Sequence, residues 1–516
     1  MINNILKYLN NYLVLIPSIL IFILMITLPT IYLPRDMWDG LSIAYANDTN
    51  NYEGIFIYFL ESNWLFQYPL SIVIIKLSHL FSMDYKNMNS IFVLITFIFI
   101  LNESRIFSII FLDFNKIQII ALTCLISSFP IWGVLLSSIM TFHLFCIFVG
   151  LFSIRLIHSN KLFYEILGYI LIIISFNFQS LLLFLPFLSF IYDKIYDSNS
   201  IKNQFKYLSY KTILVLFIAI MIYFILNFIH PPYGIYNNYN QVSIFSIKGL
   251  FGFIYSILSY ITFFLPLFIC LGVTSLILLL FPGSFTFNIN NDKINLKLFL
   301  LFSLCVVSIL PYVIVGKNTN IFDVLYWNIR QAFPLAFPLS LLIVYSLKLF
   351  KNNNKINLFV SQIICLIFIN LIIMSYGIIK KLNREIFLSK LKNELILKKN
   401  SIPNGGLLEI ISPNFPEPLA AFYELNYLMY KTTNQANMWC KFDTQVDNKF
   451  YVPQNIINNK RYQKEYIFDY NPINFTKHTI IDIKIENFNG FKNQIRNILN
   501  PNNCKVDITA IKVYKI

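Results

Sequence analysis

Charge is what this chain has least of. Asp, Glu, Lys and Arg make up 13% of its 516 residues, about half the share of an ordinary soluble domain. A water-facing globular surface is therefore excluded for most of its length. Carboxylates are scarcer still, with 25 Asp and Glu against 40 Lys and Arg. Glycine is sparse too, at 15 residues, and no glycine-rich phosphate loop occurs. An H-E-x-x-H helix and a serine-centred elbow are also missing. These absences argue against an ATP-driven pump and a soluble-type hydrolase. The seven cysteines form no metal-type cluster, so no metal and no cofactor is expected. Cys124, Cys146, Cys270, Cys305 and Cys365 lie in apolar runs, where a free thiol is an ordinary small hydrophobe.

What the chain has in excess is hydrocarbon. Hydrophobic residues reach 57% and the mean hydropathy is +0.63. Several runs attain the roughly 20 apolar residues that cross a bilayer, most clearly "SQIICLIFINLIIMSYGII" (361–379) and the long stretch 250–281. Apolar length predicts an α-helical polytopic membrane protein with about 11 transmembrane helices: 12–33, 88–110, 117–131, 136–155, 163–177, 179–192, 211–229, 250–281, 298–315, 334–349 and 357–379. The first run carries no small-residue cleavage site, so it reads as a retained span and not as a signal peptide.

The net charge of +15 needs no nucleic acid to explain it. Under the positive-inside rule, basic residues fall in alternate loops: Lys116; Arg155 and Lys161; Lys194, Lys202, Lys206 and Lys211; Lys293 and Lys297; Lys348, Lys351 and Lys355. The intervening loops, 34–87, 230–250 and 317–331, are poor in Lys and Arg. The alternation predicts that region 380–516, following a transmembrane domain at 1–379, is extracytoplasmic. That last region changes character. "HTIIDIKIENF" (478–488) and "CKVDITAIKVYKI" (504–516) alternate like strands, so a small α+β domain is expected behind a connecting helix near 380–400. Cys440 and Cys504, its two cysteines, are candidates for a disulfide in an oxidising space.

Five of the rare carboxylates sit just beyond the first apolar run: Asp36, Asp39, Asp48, Glu53 and Glu61. Asp36 and Asp39, at i and i+3, share one face if the turn is helical. A carboxylate at the bilayer edge can act as general base on an acceptor hydroxyl arriving from water. The plainer reading is that the pair caps the following helix. In the same loop, "NWLFQYPLSIVIIKLSHLF" (63–81) carries Lys76 and His79, which suit a helix lying at the interface. His143, inside an apolar run, is either an intramembrane functional group or a neutral histidine held by a neighbouring helix. Glu103 and Arg105 read as a structural ion pair or as snorkelling ends. Asn177 and Gln179 read either as hydroxyl binders or as turn residues, and Glu424 and Asn426 belong to an aromatic stretch that suits either a sugar-binding face or a buried amphipathic helix.

"PRDMWDGLSIAYA" (34–46), followed by "WLFQYPLSIVIIKLSHLFSMD" (64–84), resembles the first external loop of GT-C class membrane glycosyltransferases. The protein O-mannosyltransferases and lipid A aminoarabinose transferases are familiar members. Tyr68-Pro69-Leu70 stands where the class has a double-proline motif, and Leu80-Phe81-Ser82 where it has a turn before the second span. Asp36-Met37-Trp38-Asp39 replaces the usual acidic pair, which leaves open which Asp is the base. "WNIRQAFPLAFPLSLLIVY" (327–345) is similar to the late proline-rich span whose preceding Arg contacts the donor phosphate. That role falls on Arg330, with Lys317 beside it, since a guanidinium makes two charge-assisted bonds to a phosphate. The resemblance implies an inverting transfer of sugar from a polyprenyl-phosphate donor in the membrane to a cell-surface glycan or lipid-linked acceptor. Two other readings compete: an O-antigen-type polymerase or ligase, and a flippase or transporter without chemistry.

Overall fold

A computed structural model describes residues 13–32, 43, 52, 56, 59–60, 64, 66–137, 140–196, 209–229, 247–270, 272, 286–287, 292–322, 324, 327–351, 355–403, 406–412, 428–429, 431–432, 438–443 and 477–515. Its helices are α1 (Ile16–Ile31), α2 (Gln67–Leu80), α3 (Tyr85–Leu112), α4 (Lys116–Ser128), α5 (Thr141–Ile157), α6 (Leu162–Ser175), α7 (Leu181–Tyr196), α8 (Tyr210–Ile229), α9 (Phe251–Cys270), α10 (Asp292–Ile314), α11 (Ala336–Leu349) and α12 (Lys355–Leu397). A 3₁₀ segment, Pro130–Leu136, follows α4 at a bend of 51°, and another, Trp327–Leu335, leads into α11. Two-residue strands β1 (Thr286–Phe287) and β2 (Phe350–Lys351) pair antiparallel.

Local chemistry sets many of these boundaries. Pro29 removes a backbone donor from α1, and the helix answers with a π turn over Ile23–Thr27. α4 opens on a capping box in which Asn115 accepts from the Gln118 N–H while the Gln118 side chain accepts from the Asn115 N–H. It ends at Phe129, which precedes Pro130 and is extended for that reason. α10 closes in a Schellman motif: Gly316 (φ +68°) donates to the Val313 carbonyl and Lys317 to that of Tyr312. The left-handed position falls on a glycine, which bears no Cβ penalty.

The protein is embedded in a membrane. α8 leaves Phe217, Ile220, Phe228 and Ile229 exposed, an apolar surface that hydrocarbon tolerates and water does not. The expected count of eleven spans is corrected. Among the described residues six helices are long and apolar enough to cross, within α3, α8, α9, α10, the Trp327–Leu349 stretch and α12, or seven if the bent pair α4 and Pro130–Leu136 is one span. α5 and α6 have 17 and 14 residues, about 26 and 21 Å of helix, short of a hydrocarbon core of roughly 30 Å. Apolar runs in the sequence measure hydrophobicity and not helix length, so they overcount. The helix over the 250–281 run is described only as far as Cys270, apart from residue 272.

Cross-chain contacts define two ends. At one, Thr141 at the start of α5 donates to Asn89 of α3, and Ser180 before α7 donates to Tyr312 of α10. At the other, Arg155 at the end of α5 grips Glu103 of α3, and Lys348 of α11 bonds the carbonyls of Leu112 and Asp113. α11 is the most central span, with 78% of its apolar window buried. Gly133 of the first 3₁₀ segment and Gly377 of α12 both abut Val324, where a Cβ on either would collide with the valine side chain. Three distant segments cross there because two of them lack side chains.

α12 does not stop at the membrane. It runs 43 residues, about 65 Å, so the connecting helix expected near 380–400 is its continuation. Phe387, Leu388, Leu391 and Leu395 enter a second hydrophobic core with Leu408, Ile410, Ile481 and Ile483. Over this core lies a four-stranded sheet of order β4-β3-β5-β6, made by β3 (Gly406–Ile411), β4 (Met438–Asp443), β5 (Lys477–Glu486) and β6 (Lys505–Lys515). β3 is parallel to β4 and β5, and β6 is antiparallel to β5 with a bulge at Asp482/Ile483. The two strands expected from alternation are β5 and β6. The Cys440–Cys504 disulfide is corrected: Cys440 is on edge strand β4 and Cys504 precedes the opposite edge, β6. Three strand spacings amount to about 14 Å, twice the roughly 7 Å Cα limit for a bridge. Cys504 is a buried free thiol.

Candidate functional site

At the end of the bundle where α5 begins, six segments converge. Trp64 is fixed from both sides: its N–H donates to the Phe59 carbonyl at 2.8 Å, and its carbonyl accepts from Gln67 at 2.8 Å. The second bond ties it to the first turn of α2, where Pro69 is tolerated because early helical N–H groups have no intrahelical acceptor. Arg330 lies in the 3₁₀ segment that opens the central span and is 3% exposed. Its guanidinium carbon sits 5.5 Å from the centroid of the Trp64 ring. Burying a guanidinium is costly, and an indole face offsets about 2 kcal/mol of that in a desolvated setting.

The aromatic contact continues inward. The imidazole of His143 meets the Trp64 ring edge-on, with centroids 5.3 Å apart at 88°, and meets Phe178 at 4.8 Å and 84°. Phe178 belongs to the tight turn 176–180 between α6 and α7. Two residues on, the Ser180 hydroxyl donates to the Tyr312 hydroxyl at 2.6 Å. Lys317 lies five residues after Tyr312, placed by the Schellman turn, with Nζ 6.0 Å from the Tyr312 centroid. Arg330, Trp64, His143 and Phe178 form one series of contacts and Ser180, Tyr312 and Lys317 a second, the two meeting in the 176–180 turn. A basic, aromatic-walled region of this kind can hold an anionic group with an apolar tail beside it.

Asp36 and Asp39 lie outside the described residues. Trp64, from the same first loop, contacts Arg330. Sequence reasoning singled out Arg330, Lys317 and His143, and all three lie at this end. It missed Trp64 and Tyr312 as partners, because a cation–ring contact between segments so far apart leaves no periodicity to read. Asn177 lies in the 176–180 turn and is buried there.

The other end is built from ion pairs. Glu103 takes two bonds from Arg155, at 2.7 and 2.9 Å. Arg105 bonds Asn102 one turn back, so Glu103 reaches a neighbouring helix and not its sequence neighbour. His158 Nε2 is 2.9 Å from the Ser189 hydroxyl and its Nδ1 3.4 Å from Asp193. Asp193 also accepts from Ser209 and Thr212, and Lys211 pairs with Glu165 at 3.3 Å. Ser189 is within hydrogen-bond distance of both His158 and Thr212, so this serine, histidine and aspartate tie α5, α7 and α8 together.

No family model, curated protein sequence or solved structure matches the chain.

Proposed function

We propose that the protein is a GT-C-like membrane glycosyltransferase that moves a sugar from a polyprenyl-phosphate donor to a cell-surface glycan or lipid-linked acceptor. One observation carries this reading: Trp64 and Arg330, from the two stretches that resemble the class, are in contact. A donor phosphate anchored by its lipid would be met by Arg330, with Lys317 as a second cation. The acceptor hydroxyl would lose its proton to the carboxylate of Asp39 or Asp36. Its oxygen attacks the anomeric carbon as the carbon–oxygen bond to phosphate breaks, and the lipid phosphate leaves with that electron pair. Such a displacement inverts the anomeric centre. Charge on the departing phosphate is what a fixed guanidinium stabilises. In this reading the protein sits in a bacterial inner membrane, with the Arg330 end and region 380–516 on the extracytoplasmic side.

The test compares, by mass spectrometry, the surface glycans of a deletion strain complemented with wild-type, Arg330→Gln, Asp39→Asn or Asp36→Asn protein at matched membrane expression. The deletion strain is expected to lack a sugar that the wild type restores, with Arg330→Gln and Asp39→Asn restoring at least about 10²-fold less. Unchanged glycans in the deletion strain would remove the transferase reading. Full restoration by both aspartate variants would remove the general-base mechanism.

A further inference from the structure

Trp64 is the one described residue shown to join the first loop to the buried arginine. Its backbone is tied on both sides by hydrogen bonds, so the ring projects from a fixed point at the head of α2. α2 in turn buries Ile74 and Ile75 in the main core and packs on α3. His143 closes on the indole at 88°, and Phe178 backs the imidazole at 84°. The ring therefore has little freedom to move, and the guanidinium 5.5 Å from its centroid has a firm support. A guanidinium makes a bidentate phosphate contact through its N–H edge, so a fixed ring beside its carbon constrains the direction in which that edge points.

We propose that Trp64 is a positioning residue whose indole sets the orientation of Arg330 for a lipid-linked phosphate. The inference rests on the donor-site reading of Arg330 and deepens it. It assigns the first loop a share in donor binding, in addition to any base that the loop supplies. The attraction of a cation to a ring is strongest for indole and weaker for phenyl, so Trp64→Phe should preserve part of the effect and Trp64→Leu none of it.

The experiment measures equilibrium binding of a polyprenyl monophosphate to the full-length protein in nanodiscs, with uncharged polyprenol as control. Trp64→Leu is expected to bind about 5- to 30-fold more weakly, the span of one partly to fully desolvated cation–ring contact. Trp64→Phe should lose less, about 2- to 5-fold. In an Arg330→Gln background neither change should weaken binding further, because the two residues act as one unit. Trp64→Leu binding like wild type while Arg330→Gln is weakened would overturn the positioning role and leave the donor site standing. Additive losses in the double variant would also overturn it. Wild-type protein that prefers the phosphate no more than the polyprenol would overturn both readings. If Trp64→Leu fails to fold, the Trp64→Phe pair decides on the same criterion.

Discussion

Where α5 finishes, Arg155 reaches across to α3 and takes both oxygens of Glu103, and Lys211 finds Glu165. Where α5 starts, the guanidinium of Arg330 lies over an indole, and Lys317 lies beside a phenol. Both ends carry basic groups within an apolar bundle, and the contacts described around them differ in kind. A carboxylate fixes one helix to another through directed bonds. An aromatic face stabilises a cation without a directed bond and constrains the plane beside it. The first arrangement suits a joint. The second suits the donor-phosphate role proposed for Arg330.

The largest effect expected from this contrast is one of sidedness. In the proposed topology the sheet domain that α12 enters and the Arg330 region share the extracytoplasmic side. A phosphatase fused after residue 516 should be active and a β-galactosidase fused there silent. The reverse pattern would put the aromatic end in the cytoplasm and break the extracytoplasmic donor-site reading.

Next in size is the exchange of one arginine for another. Arg330→Gln should lower transfer by about 10²- to 10³-fold, the range for losing one preorganised donor to a charged oxygen, with little change in thermal stability. Arg155→Gln should do the opposite. It strands Glu103, which is 6% exposed, and should cost about 3 kcal/mol of stability while transfer per folded molecule stays near wild type. Thermal unfolding in detergent, alongside glycan analysis, reads both quantities. Equal loss of transfer in both variants would dissolve the distinction between the ends.

How much of this could be read in the sequence depends on the range of the interaction. Local signals served well: the apolar runs of α3, α10 and α12, and the period-2 strands at β5 and β6. The span count failed because short helices such as α6 are as apolar as long ones. In the sequence Glu103 and Arg105 admit two readings, an ion pair or snorkelling ends; residues i and i+2 diverge around a helix, and Glu103 pairs with Arg155 of α5. Arg330 was legible through its setting before a proline-rich span. Its indole support was not, because nothing in either segment encodes the other. The same limit explains the disulfide: two cysteines in one domain suggest a bridge, and only strand order shows that they lie at opposite edges.

The smallest effect concerns that sheet and sharpens a second contrast, between the oxidising side on which the proposed topology places the domain and a thiol that the fold buries. Cys504 is 1% exposed, and burial pushes its thiol up to about 11, with Lys390 pulling weakly the other way. Alkylating agents attack the thiolate, and a free cysteine ionises near 8.5. At pH 8 the folded domain should therefore leave Cys504 almost unmodified by iodoacetamide, while denatured protein should be modified fully without a reductant. The sign for stability follows from the same shift. The folded state holds its proton through the window from about 8.5 to 11, where the unfolded state has lost it, so stability falls as pH rises through that window. Peptide mapping of native and denatured samples checks the first part. Cys504 recovered in a disulfide from non-reduced, denatured protein would mean that the sheet does not hold β4 and β6 at opposite edges.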